Sequence, residues 1–194
     1  MQAIASRDAA AAGDLLLQFP GLATAALQAG ATRAATEENF LSAISHHIYA
    51  SDTALHIAAA AHWPDMIARL VGLGADPAAR NRRGATPLHY AADGNPAASR
   101  WDPEAQAATI TLLIGMGADP TAVDKNGVSA LHRAVRNRCA AAVRALLEGG
   151  ADADRPNGKG STPMMLATQQ SGRGGSGSPE AKVQQAEICR LLGA

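Results

Sequence analysis

Aromatic side chains are nearly missing from this chain: two Phe, two Trp and two Tyr stand among 194 residues. A core built on interlocking rings is excluded, and stacking along a single nucleic-acid strand would find few platforms. Cysteine is as scarce. Cys139 and Cys189 lie far apart with no partner spacing, so neither a disulfide framework nor a zinc site is supported, and a reducing, cytoplasmic setting is the default. Net charge is also lacking, with 17 basic against 17 acidic residues. The chain is therefore no polyelectrolyte for nucleic acid or a membrane surface, although a local patch stays open. No apolar run reaches the length of a membrane helix, and no basic segment leads into an apolar one as in a secretory leader; Arg7 and Asp8 interrupt the early alanines.

What is abundant is alanine, leucine and glycine, arranged in a phrase that recurs. Gly84-Ala85-Thr86-Pro87-Leu88-His89-Tyr90-Ala91 aligns with Gly127-Val128-Ser129-Ala130-Leu131-His132-Arg133-Ala134, with Thr53-Ala54-Leu55-His56-Ile57-Ala58 before them and Gly160-Ser161-Thr162-Pro163-Met164 after. The copies at Thr53, Thr86 and Ser129 are each followed by an apolar stretch ending in Gly-Ala-Asp, at Gly74, Gly117 and Gly150. The interval from Thr53 to Thr86 is 33 residues, and from Ser129 to Thr162 again 33. A fixed period of this size marks a solenoid.

The phrase has a physical content. Thr86-Pro87 and Thr162-Pro163 start helices, because the hydroxyl accepts from an orphan N–H and proline at the first position has none to satisfy. The first helix is short and packs through Leu88, Ala91 and Ala92; the second is bulkier, with Val143, Leu146 and Leu147 on one face. Gly150 ends it where a left-handed residue is needed. Asp76, Asp119 and Asp152 then turn the chain towards tips such as Asp124-Lys125-Asn126-Gly127. Helix, turn, helix and projecting hairpin cannot bury an apolar face alone, so the units must stack.

On these residues the chain resembles the ankyrin repeat family from about Ser51 onwards, with the Thr-Pro-Leu-His-x-Ala phrase nearly complete at Thr86 to Ala91. The resemblance implies an all-α solenoid with β-hairpin tips. It also implies one domain over 1–194: an atypical capping unit at 1–50, repeats at 51–83, 84–126 and 127–159, and a capping repeat at 160–194. Two departures stand out. From Thr86 to Ser129 the interval is 43, with the surplus around Asp93 to Pro103, and the fourth copy carries Met165 where the others have histidine. The first surplus is turn-rich and centred on Trp101, which either plugs the side of the stack or anchors an interface. Another, Ser171 to Pro179, is flexible by composition. In the cap, Ala3 to Ala12 and Leu15 to Leu17 read as helices, and the connection Gly21 to Ser45 as helical pieces at Leu22 to Ala29 and Glu37 to Ser45.

Chemistry finds little support. His56, His89 and His132 repeat with the period, and on stacked helices they stand about 8–10 Å apart, too far to share an ion held at about 2 Å. The resemblance implies that they join hairpin to helix by hydrogen bonds. His46-His47 points to opposite faces of a strand, and Gly158-Lys159-Gly160-Ser161 lacks the spacing of a phosphate loop. No catalytic residue, cofactor, metal or small-molecule substrate is expected, and a monomer is favoured.

What the resemblance offers instead is a concave face that binds another protein. Mapped onto this chain, the face carries Tyr49, Asp52, Arg82, Arg83, Lys125, Asn126 and Lys159 on the hairpins. Asp93, Arg136, Asn137 and Gln169 follow on the inner helices, with Trp101 in the inserted loop. Its excess of basic residues favours an acidic partner segment, and reversing Arg82 and Arg83 is expected to spare stability. Two alternatives stay open: nucleic-acid binding through the same basic tips, and an enzyme site around Glu37, Glu38, His46 and His47.

Overall fold

The computed structural model describes residues 1–32, 37–96, 98, 101–169 and 178–193; Gln170 and most of the Gly/Ser-rich insertion, 171–177, lie outside them. Among the described residues the helices come in pairs: α1 (Gln2–Ala5) with α2 (Ala9–Gln18), α3 (Ala54–Ala60) with α4 (Pro64–Gly72), α5 (Pro87–Ala91) with α6 (Pro103–Gly115), α7 (Ala130–Arg136) with α8 (Ala140–Glu148), and α9 (Pro163–Thr168) with α10 (Pro179–Leu191). The inner row stacks α1 on α3, α5, α7 and α9, and the outer row runs α4, α6, α8, α10. This is an all-α solenoid. Its core is the seam between the rows, where Leu55, Ile67, Leu70, Leu88, Ile110, Leu113, Leu131 and Leu146 are fully buried.

Local chemistry sets each turn of the repeat. Ala58, Ala91, Ala134 and Ala167, each five residues after a cap residue, are wholly buried and let the inner helices approach closely. After the outer helices, Gly74, Gly117 and Gly150 take φ of 92, 96 and 93°, and the next amides reach back to close the helix end. These bonds are Ala75 N–H to Leu70 O, Ala118 to Leu113 and Ala151 to Leu146, at 2.9, 3.0 and 2.9 Å. The hairpins are held by one side chain each. Asn81, Asp124 and Asn157 accept with Oδ1 from two backbone amides across the tip, Asn81 from Arg83 and Ala85 at 2.9 and 3.0 Å. Successive tips then bond to each other, Arg82 N–H to Ala50 O, Lys125 to Arg83 and Gly158 to Asn126.

The N-terminal unit differs from the sequence reading. The first helix stops at Ala5, not Ala12, because Arg7 takes a left-handed φ of 55° and Asp8 caps a new helix by accepting from Ala11 N–H at 3.0 Å. The connection after it is not α-helical at Leu22 to Ala29 or at Glu37 to Ser45. It consists of tight 3-10 turns at Pro20–Ala23, Glu37–Asn39 and Ser42–Ile44, and a two-stranded hairpin of β1 (Phe40–Leu41) and β2 (His46–His47), registered Phe40 to His47 and Leu41 to His46. Helix propensity lost to tertiary pairing: Leu27 N–H donates to Asp52 O, and Ser51 N–H to Leu27 O, which ties the connection to the first repeat as a neighbouring hairpin would. The outer helices restart as the sequence indicates, at Pro103 behind the Asp102 cap and at Pro179 behind Ser178.

Leu146 reaches the seam from α8 with no exposed surface. Leu146→Ala is expected to lower unfolding free energy by about 2–5 kcal/mol, measured by urea denaturation. A loss below about 1 kcal/mol would mean that the seam does not close over α8.

Candidate functional site

In three repeats the residue three positions into the inner helix is histidine, and its ring completes a capping box. Thr53, Thr86 and Ser129 donate their backbone N–H to Nδ1 of His56, His89 and His132 at 3.2, 3.1 and 3.3 Å. A backbone amide can only donate, so Nδ1 is the acceptor and Nε2 carries the hydrogen. Nε2 then donates to the next hairpin, to Ala85 O, Val128 O and Ser161 O at 3.1, 2.9 and 3.1 Å. The neutral tautomer is fixed at all three positions, and their Nδ1 lone pairs are engaged. Burial holds all three rings below the ordinary histidine value. For His89, burial assisted by the Arg133 charge brings it to about 4. No group of three potential metal ligands occurs among the described residues.

A second ladder escapes the sequence reading. Arg7, His62 and Arg138 sit in the turns between paired helices with φ of 55, 48 and 61°. Each reaches the carbonyls that end the next inner helix: Arg7 Nε to Ala61 O at 2.9 Å, His62 Nε2 to Ala91 O at 3.1 Å, Arg138 Nη1 to Ala167 O at 2.9 Å. The signal was present, since His62 and Arg138 both stand nine residues after their cap residue. It is hidden by chemical dissimilarity. In the second repeat that place falls in the inserted loop, and Gln106 Nε2 of α6 joins His62 at Ala91 O, the end of its own inner helix, at 3.0 Å.

Over the inner helices the β1–β2 hairpin folds back and borders a half-open cavity of about 1010 Å³. One wall is Ser42 to His47, another is Tyr49 and Arg83, and the inserted loop contributes Asp93, Gly94 and Trp101; Arg133, Arg136 and Asn137 close it from the end of α7. Asp93, half-buried, lines the cavity, and the fully buried Asp52 holds two of its lining residues, Tyr90 and Asn81. Asp52 accepts from Tyr90 O–H at 2.8 Å, Asn81 Nδ2 at 2.9 Å and Tyr49 N–H at 2.6 Å. It has no exposed surface, so its assignment to a partner-binding face is corrected: the buried hydrogen bonds use both of its oxygens. Asp93 accepts from Arg133 Nη1 at 2.9 Å, Asn137 Nδ2 at 3.0 Å and His46 Nε2 at 3.1 Å. Burial alone would raise its pKa, but the Arg133 guanidinium and His46 hold it well below the usual carboxylate range.

Trp101 is half-buried. Its indole N–H donates to Gln106 Oε1 at 2.8 Å, it packs on the core, and it also stands on the cavity wall. Arg82 and Arg83 are exposed yet tied. Arg82 donates to Ala31 O at 2.7 Å, and Arg83 donates to the Tyr49 hydroxyl at 3.0 Å with its guanidinium 5.0 Å from that ring. Reversing them would remove these contacts to the N-terminal connection, so the double substitution does not separate docking from stability as cleanly as the sequence reading expects. Lys125, Asn126 and Lys159 are exposed on the tips, as is Gln169 at the end of α9. Of the four residues of the enzyme alternative, only His46 and His47 line the cavity; Glu37 and Glu38 are exposed and outside its lining.

Two family descriptions match the chain: ankyrin repeats (3 copies) over residues 97–192, and ankyrin repeats (many copies) over residues 50–101. No curated protein matches it. Among the described residues no helix is long and apolar enough to cross a membrane.

The unfolded chain takes up a proton at each ladder histidine near the ordinary value, whereas folded His89 resists protonation until about pH 4. Stability is therefore expected to fall as pH drops through that window, with His89 contributing about 3 kcal/mol. Urea unfolding at about pH 7 and about pH 4.5 should show a smaller loss in His89→Gln than in the parent. Equal losses would remove His89 from this role.

Proposed function

The chain belongs to the ankyrin repeat family, whose repeats generally serve protein–protein interaction, and from that premise we propose that its 194 residues form one domain that docks an acidic segment of a partner protein along the hairpin tips and the concave flank. The observation that carries this reading is the fate of the charges on that side. Asp52 is buried, and Asp93 is neutralised by Arg133 and His46, so neither acid faces outwards unpaired. Lys125, Lys159 and Arg136 stay exposed beside Arg82 and Arg83. A surface that internalises its acids and displays its bases attracts a complementary segment, speeds encounter and fixes register. Asn126, Asn137 and Gln169 flank these bases as neutral hydrogen-bonding partners, while Tyr49 and Trp101 supply the aromatic contact area that interface anchors favour. No reaction is assigned to the cavity.

Selection of peptides from an unbiased displayed library tests the reading. Retained peptides are expected to be rich in Asp and Glu, and to bind less tightly as salt rises. Lys125→Glu with Lys159→Glu should weaken them about tenfold or more at an unchanged melting temperature. These two lysines are chosen because Arg82 and Arg83 also hold the N-terminal connection. Peptides without acidic bias, or binding unmoved by the double substitution, would overturn the proposal.

A further inference from the structure

The concave face of this chain is covered in part by its own N-terminal connection. The β1–β2 hairpin lies across the inner helices, with Leu41 buried and His46 stacked on Tyr90 of α5 at 4.2 Å between ring centroids and 22° between planes. What fixes His46 there differs from what fixes the ladder histidines. Its Nδ1 meets His47 O at 2.8 Å and its Nε2 meets Asp93 Oδ2 at 3.1 Å. Both partners are acceptors. Asp93 is ionised, since the same carboxylate also receives Arg133 and Asn137, so neither ring nitrogen has a donor to accept from. Two acceptors on one imidazole are satisfied together only when both nitrogens carry hydrogen, which is the imidazolium.

We propose that the β1–β2 hairpin is a displaceable cover over the Tyr90–Asp93 part of the concave face, held shut by the His46 imidazolium and released when that ring loses its proton. A neutral ring turns a lone pair against either the carbonyl or the carboxylate, and the repulsion falls on a side chain that joins hairpin to inner helices by both stacking and charge. The surrounding charges agree in direction. Burial and the nearby Arg133 charge oppose protonation of His46, but the Asp93 bond and charge, with the His47 carbonyl, outweigh them and hold its pKa above the ordinary value. His56 stands edge-on to Tyr90 at 5.1 Å and stays neutral, and Tyr90 donates to Asp52 and so adds no free charge. The cover therefore stays closed at and below the ordinary histidine value, and opens above the raised one. Its consequence for docking rests on the concave face being the binding face; the cover itself does not.

Hydrogen exchange on the intact chain, with no partner present, tests it. After correction for intrinsic rates, amides of residues 40–48 are expected to lose about tenfold or more of their protection between about pH 6.5 and about pH 9, while those of α5 keep theirs. In His46→Gln, whose amide can donate to Asp93 but cannot titrate, protection of 40–48 should no longer depend on pH. Nitrogen NMR of the imidazoles at about pH 6.5 should show His46 protonated on both nitrogens and His56 on Nε2 alone. Equal protection at the two pH values, the same pH dependence in His46→Gln, or a neutral His46 ring would overturn the proposal. Because no peptide enters these measurements, their failure is separable from failure of the docking reading.

Discussion

One imidazole joins each repeat to the next, and the stack depends on it. The ring accepts from the amide that would otherwise be orphaned at the start of its own helix and donates to a carbonyl at the base of the following hairpin. Cap and contact are thus a single bond path, so a repeat without a successor leaves its histidine half satisfied in an apolar place. The fourth copy shows the converse. No hairpin lies beyond α9 among the described residues, and the position holds Met165, half-exposed, while Thr162 alone accepts from the Met165 amide. The second ladder performs the matching task at the other end of the inner helices, where Arg7, His62 and Arg138 satisfy terminal carbonyls of the next unit. The terminal carbonyls of α3, α5 and α9 are thus satisfied by the preceding unit, which ties the stability of one unit to the presence of another.

The same side chain takes opposite protonation states in this fold for a reason that distance alone does not reveal. His56, His89 and His132 each face a donating amide, with the cap hydroxyl beside it, at Nδ1 and an acceptor at Nε2, so neutrality satisfies both nitrogens and burial reinforces it. His46 faces two acceptors beside an ionised carboxylate, so charge satisfies both even though burial and Arg133 work against it. The deciding quantity is the donor count around the ring.

This also marks the limit of what was legible in the sequence. Thr86-Pro87, Gly150, the turn aspartates and the periodic histidines act through bonds to residues a few positions away or through an exact repeat, and such features survive in one dimension. The connection between Gly21 and Ser45 does not. Its alanines favour a helix locally, but Leu27 is paired with Asp52 and Ser51, and Phe40 with His47, so its conformation was decided by partners that no local window contains. Asp52 was misplaced for a related reason. It occupies a surface position of the repeat pattern, and only the added connection, with Tyr49 folding over it, together with Tyr90 and Asn81, turns that position inwards. Arg82 and Arg83 changed role in the same way, from free charges to ties on that connection.

The N-terminal connection therefore does more than cap an end. By supplying His46 to Asp93 and covering Asp52, it withdraws two negative charges from the concave side, while the arginines that hold the connection and the lysines at the tips remain at the surface. The insertion thus adds to the positive character of that side, because His46 and the Tyr49 amide take up part of the acids' hydrogen-bonding capacity alongside the repeat residues. Removing the cover would return Asp93 to the face with Arg133 and Asn137 still attached, so the field there would weaken without changing sign. Among the described residues no hydrogen bond joins the connection to the tips that carry Lys125 and Lys159. On the proposed docking reading, attraction of an acidic segment to the tips and access to the ground beneath the hairpin are therefore separate physical variables, and such a segment can engage the first before the second is available.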